Sequence, residues 1–162
     1  MSVKYLKLTL IFLFLSSSLR SSEYEITVLA TNIANFGGVG EWSFSALLES
    51  DDESILFDTG FDENTVLHNA KLLGKDLSKV EKVILSHFHG DHTGGLIKLR
   101  QTFMVKNPDA FSKVYVAEGF FEQRYDQNGN LRGFIGGFDD VSDFIKATKK
   151  VGIDFVIIDE HY

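Results

Sequence analysis

Apolar and polar residues alternate from Tyr24 to Ala30, the period of two that marks a strand buried on one face. Trp42 to Glu49 and Ser54 to Asp58 carry strong β formers on either side of Ser50-Asp51-Asp52-Glu53, a turn-forming tetrad too polar to bury, and so predict a hairpin. The period then changes. Val66, Leu67, Ala70 and Leu73 repeat at helical spacing, which predicts a helix over 63–73 with Asp62 as N-cap and Gly74 as stop. Lys82-Val83-Ile84-Leu85 reads as a buried strand running into a polar loop. Leu96, Leu99, Phe103 and Met104 predict a helix over 95–106, capped by Thr93 and ended by Pro108. Lys113 to Ala117 is a further strand, 120–138 a glycine-rich aromatic stretch, 139–151 an amphipathic helix closed by Gly152, and Phe155 to Ile158 a last strand. Strands in a run, followed by strands alternating with helices, define an α/β layered fold with a mixed sheet covered by helices on one face.

The first residues follow another pattern. Lys4 and Lys7 precede the apolar run Leu8-Thr9-Leu10-Ile11-Phe12-Leu13-Phe14-Leu15, and Ser16-Ser17-Ser18 supplies small residues for cleavage near Ser18. Residues 1–22 are therefore expected to be a signal peptide that exports one domain, 23–162. The run is far short of the ~20 apolar residues that a spanning helix needs, so no stable membrane span is expected. With 44% hydrophobic residues the remainder is ample for a packed core. The net charge is −7 with scattered Lys and Arg, which disfavours a polynucleotide partner and favours a small-molecule substrate. Cysteine is absent, which removes disulfides, thiolate nucleophiles and Cys-based metal sites together.

Any metal must then be held by imidazole and carboxylate. His87-Phe88-His89-Gly90-Asp91-His92 packs three of the five histidines and an aspartate into one turn of chain at a strand end. His87 and His89, two apart in an extended segment, project to the same side and can meet one cation. Asp91 and His92 can supply a pair for a second, with Gly90 allowing a tight turn between the halves. Zinc suits these ligands best, and iron or manganese fit nearly as well. Two such ions activate water and polarise a carbonyl or phosphoryl oxygen.

Together, Leu56-Phe57-Asp58-Thr59-Gly60 and Leu85-Ser86-His87-Phe88-His89-Gly90-Asp91-His92-Thr93-Gly94-Gly95-Leu96 resemble the metallo-β-lactamase fold superfamily. The resemblance implies an αββα sandwich, with His87 and His89 on a first metal, Asp91 and His92 on a second, and Asp58 bracing the metal loop through hydrogen bonds. Asp91 would also accept a proton. The segments Glu41 to Glu49 and Asn69 to Ser78 are similar to a branch named for dihydropterin and ribofuranosylaminobenzene phosphate synthesis. Family members bring two further histidines and a bridging aspartate from a second half of the fold, for which residues 24–162 have no counterpart. The chain is accordingly expected to be the N-terminal half of the sandwich, a fragment of a metal-dependent hydrolase acting on an ester, amide or phosphate.

Three alternatives stay open: an exported non-catalytic binding protein on the same fold, a pterin-related group-transfer enzyme, and a homodimer in which two copies complete the sandwich. His161 is a weak third-ligand candidate. His68 reads as solvated surface, and Asp139 and Asp140 as helix N-terminal charges. Phe36, Trp42 and the 120–138 stretch lie in loops that suit substrate contact, although core packing accounts for most of the fifteen phenylalanines.

Overall fold

A computed structural model describes residues 23–122, 124–130 and 141–159. The segment 1–22 expected to be a signal peptide, residues 131–138 of the aromatic stretch, Asp139, Asp140 and His161 lie outside the described residues. One six-stranded sheet runs in the sequence order β1 (Glu25–Ala30), β2 (Ser45–Glu49), β3 (Ser54–Phe57), β4 (Lys82–Leu85), β5 (Lys113–Ala117) and β6 (Asp154–Ile158). The first three strands pair antiparallel, and β3 to β6 pair parallel. Among the described residues four helices intervene: α1 (Thr65–Leu72), α2 (Gly90–Thr93), α3 (Leu96–Phe103) and α4 (Val141–Lys150), with a 3-10 turn at Leu77–Lys79.

The register explains the alternation in the sequence. Thr27, Leu47, Leu56, Val83, Val114 and Phe155 lie opposite one another in one row across the sheet. Most of that row joins Val66, Ala70, Leu96, Leu99, Phe111 and Phe144 from helices and loops in a single core. The neighbouring row, Val28, Ala46, Phe57, Ile84, Tyr115 and Val156, points to the other face, where Val28, Phe57 and Val156 are exposed. Helices therefore cover one face of a mixed sheet, as the sequence pattern predicts. No helix among the described residues is long and apolar enough to cross a membrane.

Several boundaries move for identifiable reasons. The hairpin turn forms as expected, with Ser50 N–H donating to the Glu53 carbonyl at 2.9 Å. The second strand starts at Ser45 rather than Trp42, because Phe44 exchanges its backbone bonds with Asp91 and Gly60 instead of a strand. Asp62 is not the N-cap of α1. Its carboxylate accepts from Asn64 N–H at 2.8 Å in a local turn, and the helix begins after Asn64. Thr93 does not cap α3 either. Its hydroxyl donates to the His89 carbonyl at 3.0 Å, because the His87–His92 stretch, predicted as loop, winds into α2. Gly90 opens that short helix without a positive φ, so its conformational freedom is not used there.

Arg100 is buried on α3, although nothing in its local sequence marks it. Its guanidinium donates to the carbonyls of Val151 at 2.9 Å and of Pro108 and Ala110 at 2.6 Å, tying α3 to the end of α4 and to the approach to β5. Three carbonyls in line with its N–H groups compensate the desolvated charge.

Candidate metal centre

The site begins where parallel strands β3 and β4 end, the side of a parallel sheet on which loops gather ligands. Asp58 continues β3 by donating its N–H to the Ile84 carbonyl at 2.8 Å, and its backbone then turns left-handed at φ 54°. That conformation costs a residue with a Cβ about 1–2 kcal/mol. Three hydrogen bonds offset it. The fully buried carboxylate accepts from Ser86 N–H at 2.8 Å, from the Ser86 hydroxyl at 2.7 Å and from His92 Nδ1 at 2.7 Å.

Phe88 holds the motif to the body of the protein. Its ring is buried at edge-on centroid distances of 5.6 Å from Phe120, 6.0 Å from Phe121 and 4.9 Å from Phe144. Phe120 and Phe121 thus pack inward, and the start of the aromatic stretch serves the core rather than a substrate mouth. Alternation about Phe88 turns His87 and His89 the other way. His87 Nε2 faces His89 Nδ1 at 3.0 Å, with ring centroids 4.5 Å apart.

The hydrogen bonds assign the tautomers. Ser86 spends its hydroxyl proton on Asp58, so its oxygen accepts from His87 Nδ1–H at 3.0 Å and leaves His87 Nε2 bare. His92 likewise donates Nδ1–H to Asp58 and leaves Nε2 bare. His87, Asp91 and His92 each offer one donor atom, all within 4.8 Å of one another. His89 is not in that trio and joins the site through its contact with His87. The residues fit a divalent cation in donor type and in the presentation of bare nitrogens backed by a carboxylate, the arrangement that orients ligating histidines.

Burial, first, and the neighbouring His92 and His89 rings, next, hold the His87 imidazole below the ordinary histidine value of 6.5, against the opposing pull of Asp58 and Asp91. The folded chain therefore takes up this proton later than the unfolded chain as pH falls. The associated stability is complete above pH 6.5 and is lost as pH drops through the lower folded value. Urea unfolding of the metal-free protein between pH 7.5 and 5 is expected to show a smaller acid loss in His87→Gln than in the wild type. Equal losses in the two proteins would contradict the assignment.

Two loops are zipped together behind these ligands. Thr59 donates N–H and hydroxyl to the His92 carbonyl at 2.7 and 2.9 Å, and Gly94 N–H donates to the Gly60 carbonyl at 3.0 Å. Glu41, which sequence inspection passes over, ties in a third segment. Its carboxylate accepts from Ser43 Oγ at 2.6 Å, Phe61 N–H at 2.7 Å, Asp62 N–H at 3.0 Å and Thr65 Oγ1 at 2.8 Å. Asn69 is a second missed residue, clamping the glycine-rich loop through Val39 N–H, Val39 carbonyl and Leu29 carbonyl. Apart from Ser43, their partners lie 20 or more residues away, so the local sequence gives neither residue this role. His68, exposed as expected, bonds the Gly37 carbonyl at 2.8 Å. Phe36 is 99% exposed and does not line the cavity beside the candidate ligands, whereas Trp42, 79% exposed, lines it with Phe61, His89 and Asp91.

A mixed sheet with helices on one face and a His/Asp cluster at the ends of its parallel strands defines a metal-site α/β protein. The family model of the metallo-β-lactamase superfamily matches residues 42–154, and the chain belongs to that superfamily. Among solved structures, Tm1679, described as a metal-dependent hydrolase of the β-lactamase superfamily, superposes with a TM-score of 0.57 at 26% identity, over 85% of this chain and 43% of that one. Ribonuclease Z of Thermococcus onnurineus is 40% identical over 88 residues, 54% of this chain and 27% of the relative. The 7,8-dihydropterin-6-methyl-4-(β-D-ribofuranosyl)-aminobenzene-5′-phosphate synthase of Methanocaldococcus jannaschii is 35% identical over 72 residues, 41% of this chain and 24% of the relative. The similarity to that branch read from Glu41 to Ser78 thus has a counterpart among the relatives. The chain spans about half or less of the length of the curated relatives it matches.

Proposed function

We propose that this chain carries part of the active centre of a metal-dependent hydrolase, in which His87 and His89 hold one divalent cation and Asp91 and His92 a second. Zinc is the first choice, with iron or manganese as alternatives. One observation carries the reading: bare imidazole nitrogens and a carboxylate converge at the ends of parallel strands while buried Asp58 fixes the ring that could otherwise turn away. Such cations, when bound, supply an activated water and polarise the oxygen of an ester, amide or phosphate. The protein's own part is orientation. Asp58 sets the His92 tautomer and, through Ser86, that of His87. Asp91, half-buried with its Oδ2 3.6 Å from His92 Nε2, would serve as a ligand and as the acceptor of a proton.

The net charge of −7 favours a small-molecule substrate. Similarity to ribonuclease Z favours a second reading, a phosphodiester in a polynucleotide, and similarity to the dihydropterin enzyme a group-transfer reaction. Export directed by the segment from Lys4 to Ser18 belongs to the same proposal.

Equilibrium dialysis against zinc with elemental analysis, followed by hydrolysis of a p-nitrophenyl ester and of bis-p-nitrophenyl phosphate, tests the reading. Zinc uptake by the wild type is expected to fall at least about tenfold in affinity in His87→Ala and in His92→Ala, as loss of a ligand requires. Uptake indifferent to both substitutions would end the assignment.

A further inference from the structure

A cavity of about 320 Å³ opens beside the candidate ligands, lined by Trp42, Phe61, His89 and Asp91. Two of its four walls are large aromatic side chains that a folded chain would ordinarily cover, since Trp42 is 79% exposed and Phe61 61% exposed. Neither position is left to chance. Glu41 bonds the Phe61 and Asp62 amides and the Thr65 hydroxyl, and Trp42 is its immediate neighbour, so one carboxylate sets the backbone under both aromatic walls.

A cation borders that cavity through one of its lining residues, His89. Arg124 Nη1 lies 3.1 Å from His89 Nε2. A guanidinium only donates, so Nε2 accepts and the ring's proton sits on Nδ1, which points to His87 Nε2. When His89 ligates through Nδ1, the proton of the neutral ring resides on Nε2 instead, and Arg124 loses its acceptor there. The guanidinium is then available, beside the centre, to an anion.

We infer that the cavity binds a small anion attached to a flat aromatic ring, with Trp42 and Phe61 against the ring and Arg124 on the phosphate or carboxylate. This rests on the metal-centre reading and adds the substrate class to it. Flat rings suit aromatic walls through offset or edge contacts, and Arg suits an oxyanion through paired N–H groups. An uncharged aliphatic ester would use neither wall.

Trp42 is the sole tryptophan, so its fluorescence reports occupancy directly. The zinc content of the full chain is measured first, and the zinc-loaded protein is then titrated with phenylphosphonate, benzoate and methylphosphonate. Saturable quenching is expected with phenylphosphonate or benzoate, the stronger of the two identifying the oxyanion. Methylphosphonate is expected to bind about fivefold to tenfold more weakly, for want of ring contacts. Arg124→Ala is expected to weaken phenylphosphonate about tenfold or more, and Arg124→Lys less, with unchanged zinc content and circular dichroism. Zinc taken up without quenching, equal binding of methylphosphonate and phenylphosphonate, or undiminished binding by Arg124→Ala overturns the inference and leaves the metal centre standing. Absence of zinc uptake removes both.

Discussion

Asp58→Asn is expected to lower zinc affinity by about 10- to 100-fold, although Asp58 is not itself among the proposed ligands. The asparagine oxygen can still accept from Ser86 N–H, but its amide nitrogen then faces the Ser86 hydroxyl and His92 Nδ1, both of which donate to Asp58 at 2.7 Å. Donor meets donor. Relief requires His92 to move its proton to Nε2, which removes the lone pair meant for a cation, or Ser86 to rotate, which releases His87. Because the carboxylate is fully buried, the mismatch is expected to cost stability as well, about 2–4 kcal/mol. Dialysis against zinc and urea unfolding measure the two effects separately. A variant with normal zinc affinity would show that Asp58 braces the fold without setting the site.

Gly94→Ala has the second large effect, and by a different cause. Gly94 has φ −62° and ψ −37°, which any residue adopts, so helix propensity alone would make alanine the better choice by about 1 kcal/mol. Sterics oppose this. A Cβ at Gly94 would overlap the Phe61 carbonyl oxygen, and one at Gly95 would overlap that of Thr59. The Asp58 to Phe61 loop would have to move away from the metal motif, breaking the Gly94 to Gly60 bond and straining those from Thr59 to His92. Overpacking of this kind costs about 1–3 kcal/mol or more, and here the obstructing atoms are backbone, which cannot rotate aside. A lowered urea midpoint with weakened zinc uptake is the expected result. An unchanged or raised midpoint would mean that propensity wins and that the two loops do not depend on close approach.

Much of this protein was legible because it is periodic or dense. Alternation from Tyr24 to Ala30 marks the first strand, and β-forming or apolar runs about Leu47, Leu56 and Val83 mark later ones, because residues that fit a pleated, half-buried surface recur in short stretches. His87, His89, Asp91 and His92 stood out because chemistry-bearing residues were crowded into six positions. Boundaries were less legible where side chains compete with helix or strand for backbone groups. Asp62 and Thr93 are good caps by residue type, yet each spends its bonds on a turn that only the surrounding segments impose.

The sequence by itself determined the family of shapes available to the chain and the four donors presented at the end of one strand. It did so because hydrophobic period and short-range spacing are local properties. Tertiary structure alone decided which nitrogens point inward, that Glu41 sets two exposed aromatics beside them, and that Arg124 reaches His89 across the chain. Hydrogen bonds between residues 20 to 35 positions apart follow from how strands and loops pack, and no local pattern records them.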